Sequence, residues 1–115
     1  MTDDALTVRT VEDGSATVLE LTGRLDVGTI AVVRDKFAEV VTGGDPVVLD
    51  LARLTYLSSA GLRFILIAMK QAQATRQQFV IAGARGSVRQ VLDSIGLRQF
   101  CPFYRNRAEA LAKIA

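Results

Sequence analysis

The amino-acid sequence predicts an α/β layer fold, with a mixed sheet of four to five strands packed against about four helices. Two observations lead to this prediction: a hairpin-like pair of strands opens the chain, and strand-like apolar runs then alternate with helix-like runs. The sequence has 115 residues, half of them hydrophobic, which is enough for one ordinary core. We therefore expect residues 1–115 to form a single domain.

The first half of the chain predicts four elements, at residues 6–11, 16–21, 29–41 and 47–51. The first two are strands of a hairpin, because Asp13-Gly14 between them is a turn signal. The third has apolar side chains at helical spacing, and Gly43-Gly44 is expected to end that helix. The fourth is strongly apolar, which favours a central strand buried on both faces.

The second half predicts a helix, a strand, a helix, a short edge strand and a last helix, at residues 60–74, 79–82, 87–95, 99–104 and 107–114. Gly96 is expected to cap the third helix of the chain. The connection at residues 83–86 lacks the lysine and the glycine spacing of a Walker A loop. We interpret it as a strand-to-helix connection capped by Ser87.

Composition excludes several classes of function. With no histidine and only Cys101, one chain cannot assemble a zinc site of His and Cys ligands or a Ser-His-Asp or Cys-His catalytic set. We therefore expect no enzyme activity, metal or cofactor, and a buried or incidental thiol. The 14 basic residues form no stripe and aromatics are few, which argues against nucleic-acid binding. A polar start and short apolar runs predict a cytoplasmic protein without membrane insertion.

Ser58 and Ser59 stand where a strand is predicted to end and a helix to begin. Backbone N–H groups at such a place lack intrahelical partners, and the helix dipole favours an anion there. A serine here is either a helix cap or an acceptor for phosphate. Ala60 and Gly61 leave the helix mouth open, and no Glu or Gln completes a capping box, which favours the acceptor.

The helix that follows has a buried stripe centred on Leu62, with Ile65, Leu66, Met69 and Ala72. Arg63 and Ile67 fall on the opposite side and Phe64 at its border. Either a neighbouring helix covers Phe64 and Ile67, or they form a partner surface beside the serines. Asp26 and Asp50 are the other candidate residues, and for each the residues themselves indicate a structural role, Asp26 as a turn acceptor and Asp50 as an acceptor for a loop.

Residues 47–63, Val-Val-Leu-Asp-Leu-Ala-Arg-Leu-Thr-Tyr-Leu-Ser-Ser-Ala-Gly-Leu-Arg, resemble the core of STAS domains, the anti-sigma-factor antagonist family. Gly23-Arg24-Leu25-Asp26 is similar to that family's Gly-x-Leu-Asp segment. Residues 96–100 and 104–110 are similar to its closing Gly-Leu-x-x-x-Phe stretch and final helix. The resemblance covers residues 6–112 and implies a STAS-type fold.

The resemblance also implies a partner-switching function. In such families the unphosphorylated antagonist binds an anti-sigma factor with GHKL-type serine kinase activity and thereby frees a sigma factor. The kinase phosphorylates the antagonist, which ends binding, and a PP2C-type phosphatase reverses this. The resemblance equally fits a subunit of another assembly, such as a lipid-transport ABC complex or a stressosome-like scaffold.

Alignment on Gly61 assigns the phosphate to Ser59, with Ser58 as second choice. Two positions depart from the family's Asp-Ser-Ser/Thr-Gly segment, since Ser58 replaces Asp and Ala60 replaces Ser or Thr. The residues expected to bind the partner surround the acceptor: Asp26, Ser58, Ala60, Gly61, Arg63, Phe64 and Ile67.

Overall fold

The computed structural model describes residues 5–41 and 44–114. Its strands are β1 Thr7–Asp13, β2 Ala16–Leu25, β3 Val47–Leu57, β4 Phe79–Ala82 and β5 Phe103–Tyr104. Its helices are α1 Ile30–Val41, α2 Ser59–Ala74, α3 Gly86–Ser94 and α4 Arg107–Ile114, with a 3₁₀ turn at Leu97–Gln99. These five strands and four helices of the described ranges confirm the predicted fold class.

The five strands form one mixed sheet in the order β1-β2-β3-β4-β5. β1 and β2 are antiparallel, as the predicted hairpin requires, and the remaining neighbours are parallel. In the parallel pair β2–β3, Leu25 lies opposite Leu57, so both strands end at the same edge of the sheet. The serine turn follows β3 directly, and this edge is therefore where the candidate site forms.

β2 and β3 are longer than the sequence predicts, ending at Leu25 and Leu57 instead of residues 21 and 51. The apolar pattern weakens in their second halves, but backbone pairing continues through two register shifts. At one of these shifts Gly23 has φ +113, and a Cβ there would lie 2.3 Å from the carbonyl oxygen of Ala5. Local strand pairing therefore persists where side-chain periodicity no longer signals it.

The sheet has a core on each face, which confirms that the first half of β3 is buried on both sides. Val47, Leu49 and Leu51 face the larger core, to which α1, α2 and α3 contribute. Val48 faces the smaller core, which contains Ala110 of α4. Of the helices within residues 5–41 and 44–114, none has the length and apolarity that a membrane span needs.

Two local predictions about the third helix and the edge strand are wrong. α3 begins at Gly86, so Ser87 lies inside its first turn and Arg85 occupies the cap position without a side-chain hydrogen bond. The predicted edge strand at residues 99–104 is reduced to β5, because Gln99 belongs to the 3₁₀ turn and residues 100–102 do not form a strand. The left-handed Gly96 (φ +67) follows α3 as predicted, whereas Gly43 lies outside the described residues.

The closing motif also differs in detail from the sequence interpretation. Phe100 is 60% exposed, whereas the next residue, Cys101, is buried in the larger core. The Gly-Leu-x-x-x-Phe pattern has three residues between its leucine and its phenylalanine. Counted from Leu97, the phenylalanine position of the pattern is therefore occupied by Cys101 and not by Phe100. Burial raises the pKa of the Cys101 thiol to about 11, so the thiol stays protonated and has little nucleophilic character.

Asp50 belongs to a network of ion pairs on the face of the sheet that α4 covers. Its Oδ1 accepts a hydrogen bond from the Ala52 N–H at 3.0 Å, and its Oδ2 accepts one from Arg107 Nε at 3.1 Å. Arg107 also donates to Glu20, which Arg9 contacts from the other side. Asp50 is therefore a structural acceptor on the face of the sheet opposite α2.

This network predicts a pH-dependent stability. Burial alone raises the pKa of Glu20, but Arg9 and Arg107 outweigh it and hold that pKa below the ordinary 4.5. A depressed pKa stabilises the fold above pH 4.5, and this contribution is lost as the pH falls through the lower folded value. We expect Glu20→Gln to lower the free energy of unfolding by about 1 kcal/mol at about pH 7, and by progressively less toward about pH 3. Urea unfolding at both pH values measures this, and an equal difference at both would contradict it.

Candidate functional site

The serine turn, which contains Ser58 and Ser59, makes close backbone contact with the end of β2. The Ser58 N–H donates to the Leu25 carbonyl oxygen at 3.0 Å. A Cβ at Gly61 would lie 2.8 Å from that same oxygen and 2.8 Å from Leu57 Cδ1, closer than real Cβ atoms approach other heavy atoms. Gly61 is buried, and glycine is needed there because α2 begins directly against the edge of the sheet.

The two serines have different structural roles. Ser58 has extended backbone angles and is the N-cap of α2, where its Oγ accepts a hydrogen bond from the Gly61 N–H at 3.1 Å. Ser59 is the first residue of the helix and is exposed. Throughout the described ranges, no hydrogen bond engages its hydroxyl. The capping role therefore belongs to Ser58, and the Ser59 hydroxyl is accessible for modification.

This division predicts that the two serines contribute differently to stability. We expect Ser58→Ala to lower the free energy of unfolding by about 1 kcal/mol, because the Gly61 N–H loses its partner. Ser59→Ala should change it by less than about 0.5 kcal/mol. Urea denaturation of the two purified variants measures both effects, and equal losses would mean that Ser59 shares the capping role.

Asp26 organises the loop between β2 and α1. Its Oδ1 accepts a hydrogen bond from the Gly28 N–H at 3.0 Å, and its own N–H donates to Thr29 Oγ1 at 3.0 Å. Its carbonyl oxygen accepts the N–H of Ile30 at the start of α1. Asp26 is thus a turn acceptor, and the Leu25–Ser58 hydrogen bond brings its loop beside the serine turn.

Three residues near the Asp26 loop and the serine turn were not predicted from the sequence. Val27, at the tip of the Asp26 loop, is 82% exposed, and the Arg24 guanidinium lies 4.0 Å from the centre of the Tyr56 ring. An apolar residue between a turn aspartate and a glycine was the available signal for Val27. Arg24 and Tyr56 had no such signal, because only the pairing of β2 with β3 brings them together.

A groove of about 1070 Å³ opens between α1 and α2, beside the serine turn. Six of its lining residues matter here: Ile30, Arg34, Ala60, Arg63, Phe64 and Ile67. The structure separates the two alternatives for the apolar pair on α2. Phe64 is only 9% exposed, since Phe37 of α1 packs on it edge-to-face at 6.1 Å, whereas Ile67 remains 44% exposed. A neighbouring helix therefore covers Phe64 but leaves Ile67 open.

Positive charge borders this groove. Among the described lining residues, the charged side chains are Arg34 and Arg63. Neither forms an ion pair with any residue that the structure describes. Arg34 was not predicted, because no sequence pattern indicates that the exposed side of α1 borders the same groove as α2. The site thus combines an accessible hydroxyl, a mostly apolar groove and two arginines that have no ion-pair partner among the described residues.

A hairpin-led mixed sheet with this serine turn at the start of α2 defines a STAS-type α/β domain. A sequence model described as the STAS domain matches residues 7–110. This match covers most of the 115-residue chain, and the chain therefore belongs to the STAS domain family.

Known relatives agree with this assignment. BtrV of Bordetella bronchiseptica, assigned by name as an anti-sigma factor antagonist, is 39% identical over 75 residues. These residues are 65% of this chain and 65% of BtrV, so the chain matches just under two thirds of that relative's length.

Solved structures show the same fold. A crystal structure of an anti-sigma factor antagonist from Mycobacterium paratuberculosis has a TM-score of 0.88 at 24% identity, covering 96% of this chain and 95% of that one. The Bacillus cell fate determinant SpoIIAA in its phosphorylated form has a TM-score of 0.76 at 19% identity, covering 95% of this chain and 100% of that one. At these identities the similarity establishes the fold alone.

Proposed function

We propose that this STAS domain is a cytoplasmic anti-sigma factor antagonist without catalytic activity of its own. Its unphosphorylated form binds an anti-sigma factor that is also a GHKL-type serine kinase, and so releases a sigma factor. Phosphorylation of Ser59 ends this binding, and a PP2C-type phosphatase restores it. The observation that carries the proposal is the exposed Ser59 hydroxyl, which makes no described hydrogen bond beside a cap already supplied by Ser58.

The position of Ser59 suits a phosphate that leaves the fold intact. A phosphoserine carries about −1.5 to −2 charge near pH 7. At the first residue of α2 this charge lies at the positive end of the helix dipole, which stabilises it. SpoIIAA, which shares the fold, is known in a phosphorylated form. The modification can therefore act on the partner without unfolding the domain.

The proposed partner surface surrounds this serine. The residues beside Ser59 are Asp26, Ser58, Ala60 and Arg63. Ile67 lies farther along α2, in the groove. Phe64 and Gly61 are buried, so they support this surface mainly by packing, with Phe64 also lining the groove. An acidic or apolar partner surface packed here would bury the phosphate charge without a counter-ion, at a cost of several kcal/mol.

Co-purification from the native cell tests the proposal. Tagged wild type, Ser59→Ala and Ser59→Asp are each recovered, their bound proteins are identified by mass spectrometry, and the phosphorylated residue is mapped. We expect a GHKL-type serine kinase with wild type and Ser59→Ala, and its loss with Ser59→Asp. If all three variants retain the same transporter ATPase, the protein is instead a subunit of a transport complex and the proposed function is wrong.

A further inference from the structure

We infer that the groove between α1 and α2 receives an apolar helix of the partner, whose acidic side chains pair with Arg34 and Arg63. A phosphate on Ser59 captures Arg63 and removes that attraction. This inference rests on the proposed function, since it specifies what the anti-sigma kinase inserts and how phosphorylation displaces it.

The shape of the groove favours a helix as its occupant. It is open to solvent and is lined by residues of α1, of 12 residues, and α2, of 16 residues. These helices are about 18 and 24 Å long, enough to flank about three turns of a third helix. Its volume of about 1070 Å³ slightly exceeds the range of about 300–1,000 Å³ that is typical of small-molecule pockets. Ile67 on its wall is 44% exposed and lacks the cover that an apolar helix face would supply.

The charges of the groove specify the chemistry of that helix. The two arginines give the groove a charge of +2, and no acidic side chain is among its described lining residues. Since neither arginine has an ion-pair partner in residues 5–41 or 44–114, both are free to bind external carboxylates. A partner helix with an apolar stripe flanked by Asp or Glu complements this surface, whereas a basic helix is repelled.

Ser59 and Arg63 are placed to interact after phosphorylation. They are four residues apart in α2, so their Cβ atoms lie about 5–6 Å from each other on one side of the helix. Side chains on a helix lean toward its N-terminus, which directs Arg63 back over the Ser59 turn. A phosphoserine of about −1.5 to −2 reduces the +2 of the groove to about zero. The attraction for an acidic helix is then lost.

A first experiment tests the Arg63–phosphate pair without any partner. Phosphoserine is incorporated at position 59, and its second pKa is measured by ³¹P NMR in the wild-type background, in Arg63→Gln and in Arg53→Gln. Arg53 is a matched control, because it is exposed and lies outside the groove. We expect Arg63→Gln to raise the phosphate pKa by about half a unit, and Arg53→Gln to leave it unchanged. Equal values in all three backgrounds would overturn the pairing.

A second experiment tests the groove with the purified anti-sigma kinase. Arg34→Gln, Arg63→Gln and Ile67→Ala should each weaken its binding by about tenfold in calorimetry, and Arg53→Gln should not. A photo-crosslinker at Ala74, which lines the groove, should attach to an acidic amphipathic helix of the kinase, whereas one at the exposed Ala108 of α4 should not.

The outcomes separate this inference from the proposed function. Kinase binding that is unaffected by all three groove substitutions overturns the inference and leaves the proposed function intact. Failure of wild type to hold any such kinase overturns both. A fatty acid extracted from the purified protein, or a dimer in solution that the Ile67→Ala substitution dissociates, would identify a different occupant and overturn the inference as well.

Discussion

Phosphorylation of Ser59 is expected to weaken binding of the anti-sigma kinase by about a thousandfold or more while leaving the fold unchanged. The hydroxyl is exposed at the first residue of α2, so the phosphate replaces no described internal contact. In the proposed mechanism the same phosphate faces the partner and withdraws Arg63 from it. A loss of more than about 4 kcal/mol in binding therefore accompanies almost no change in the free energy of unfolding.

Titration of authentic phosphoserine-59 protein against the purified kinase, with unmodified protein alongside, measures this effect. Phosphoserine at Ser15, in the exposed hairpin turn, is the matched control and should bind as the unmodified protein does. Circular dichroism and urea unfolding of all three forms report on the fold. Weak binding accompanied by a loss of stability would show that the phosphate acts by disrupting the domain, contrary to the proposed local mechanism.

Gly61→Ala is expected to be the most destabilising substitution at the site, lowering the free energy of unfolding by about 3 kcal/mol. The new methyl would lie 2.8 Å from the Leu25 carbonyl oxygen, a backbone atom that cannot turn aside. α2 must then move away from the sheet, which stretches the Ser58–Leu25 hydrogen bond. This cost exceeds the gain of about 1 kcal/mol that alanine brings to a helix.

Gly28→Ala is the control for this substitution. A Cβ at Gly28 comes no closer than 3.5 Å, to Asp26 Oδ1, which is an ordinary contact. Chemical denaturation of wild type and both variants measures the difference, and we expect Gly28→Ala to stay within about 0.5 kcal/mol of wild type. Equal stability of Gly61→Ala and wild type would mean that α2 is not packed against β2 as described.

The sequence predicted those features that depend on local pattern. The order of strands and helices follows from the periodicity of the apolar residues, and the hairpin at Gly14 follows from turn chemistry. The sequence prediction made β2 and β3 too short, because backbone pairing with a neighbouring strand continues beyond the apolar run of each. It also misplaced the cap of α3, since the left-handed Gly86 begins that helix one residue before Ser87.

The sequence by itself determined that a serine pair lies between a buried strand and an apolar helix, in a chain without histidine. Only the tertiary structure separated the two serines, because the hydrogen bond from Gly61 N–H to Ser58 Oγ depends on how α2 meets the end of β2. The groove with Arg34 and Arg63 likewise arises from the packing of two helices that are distant in sequence. Sequence patterns depend on residues that are close along the chain. The groove and the cap depend on residues that are distant in sequence and that only folding brings together.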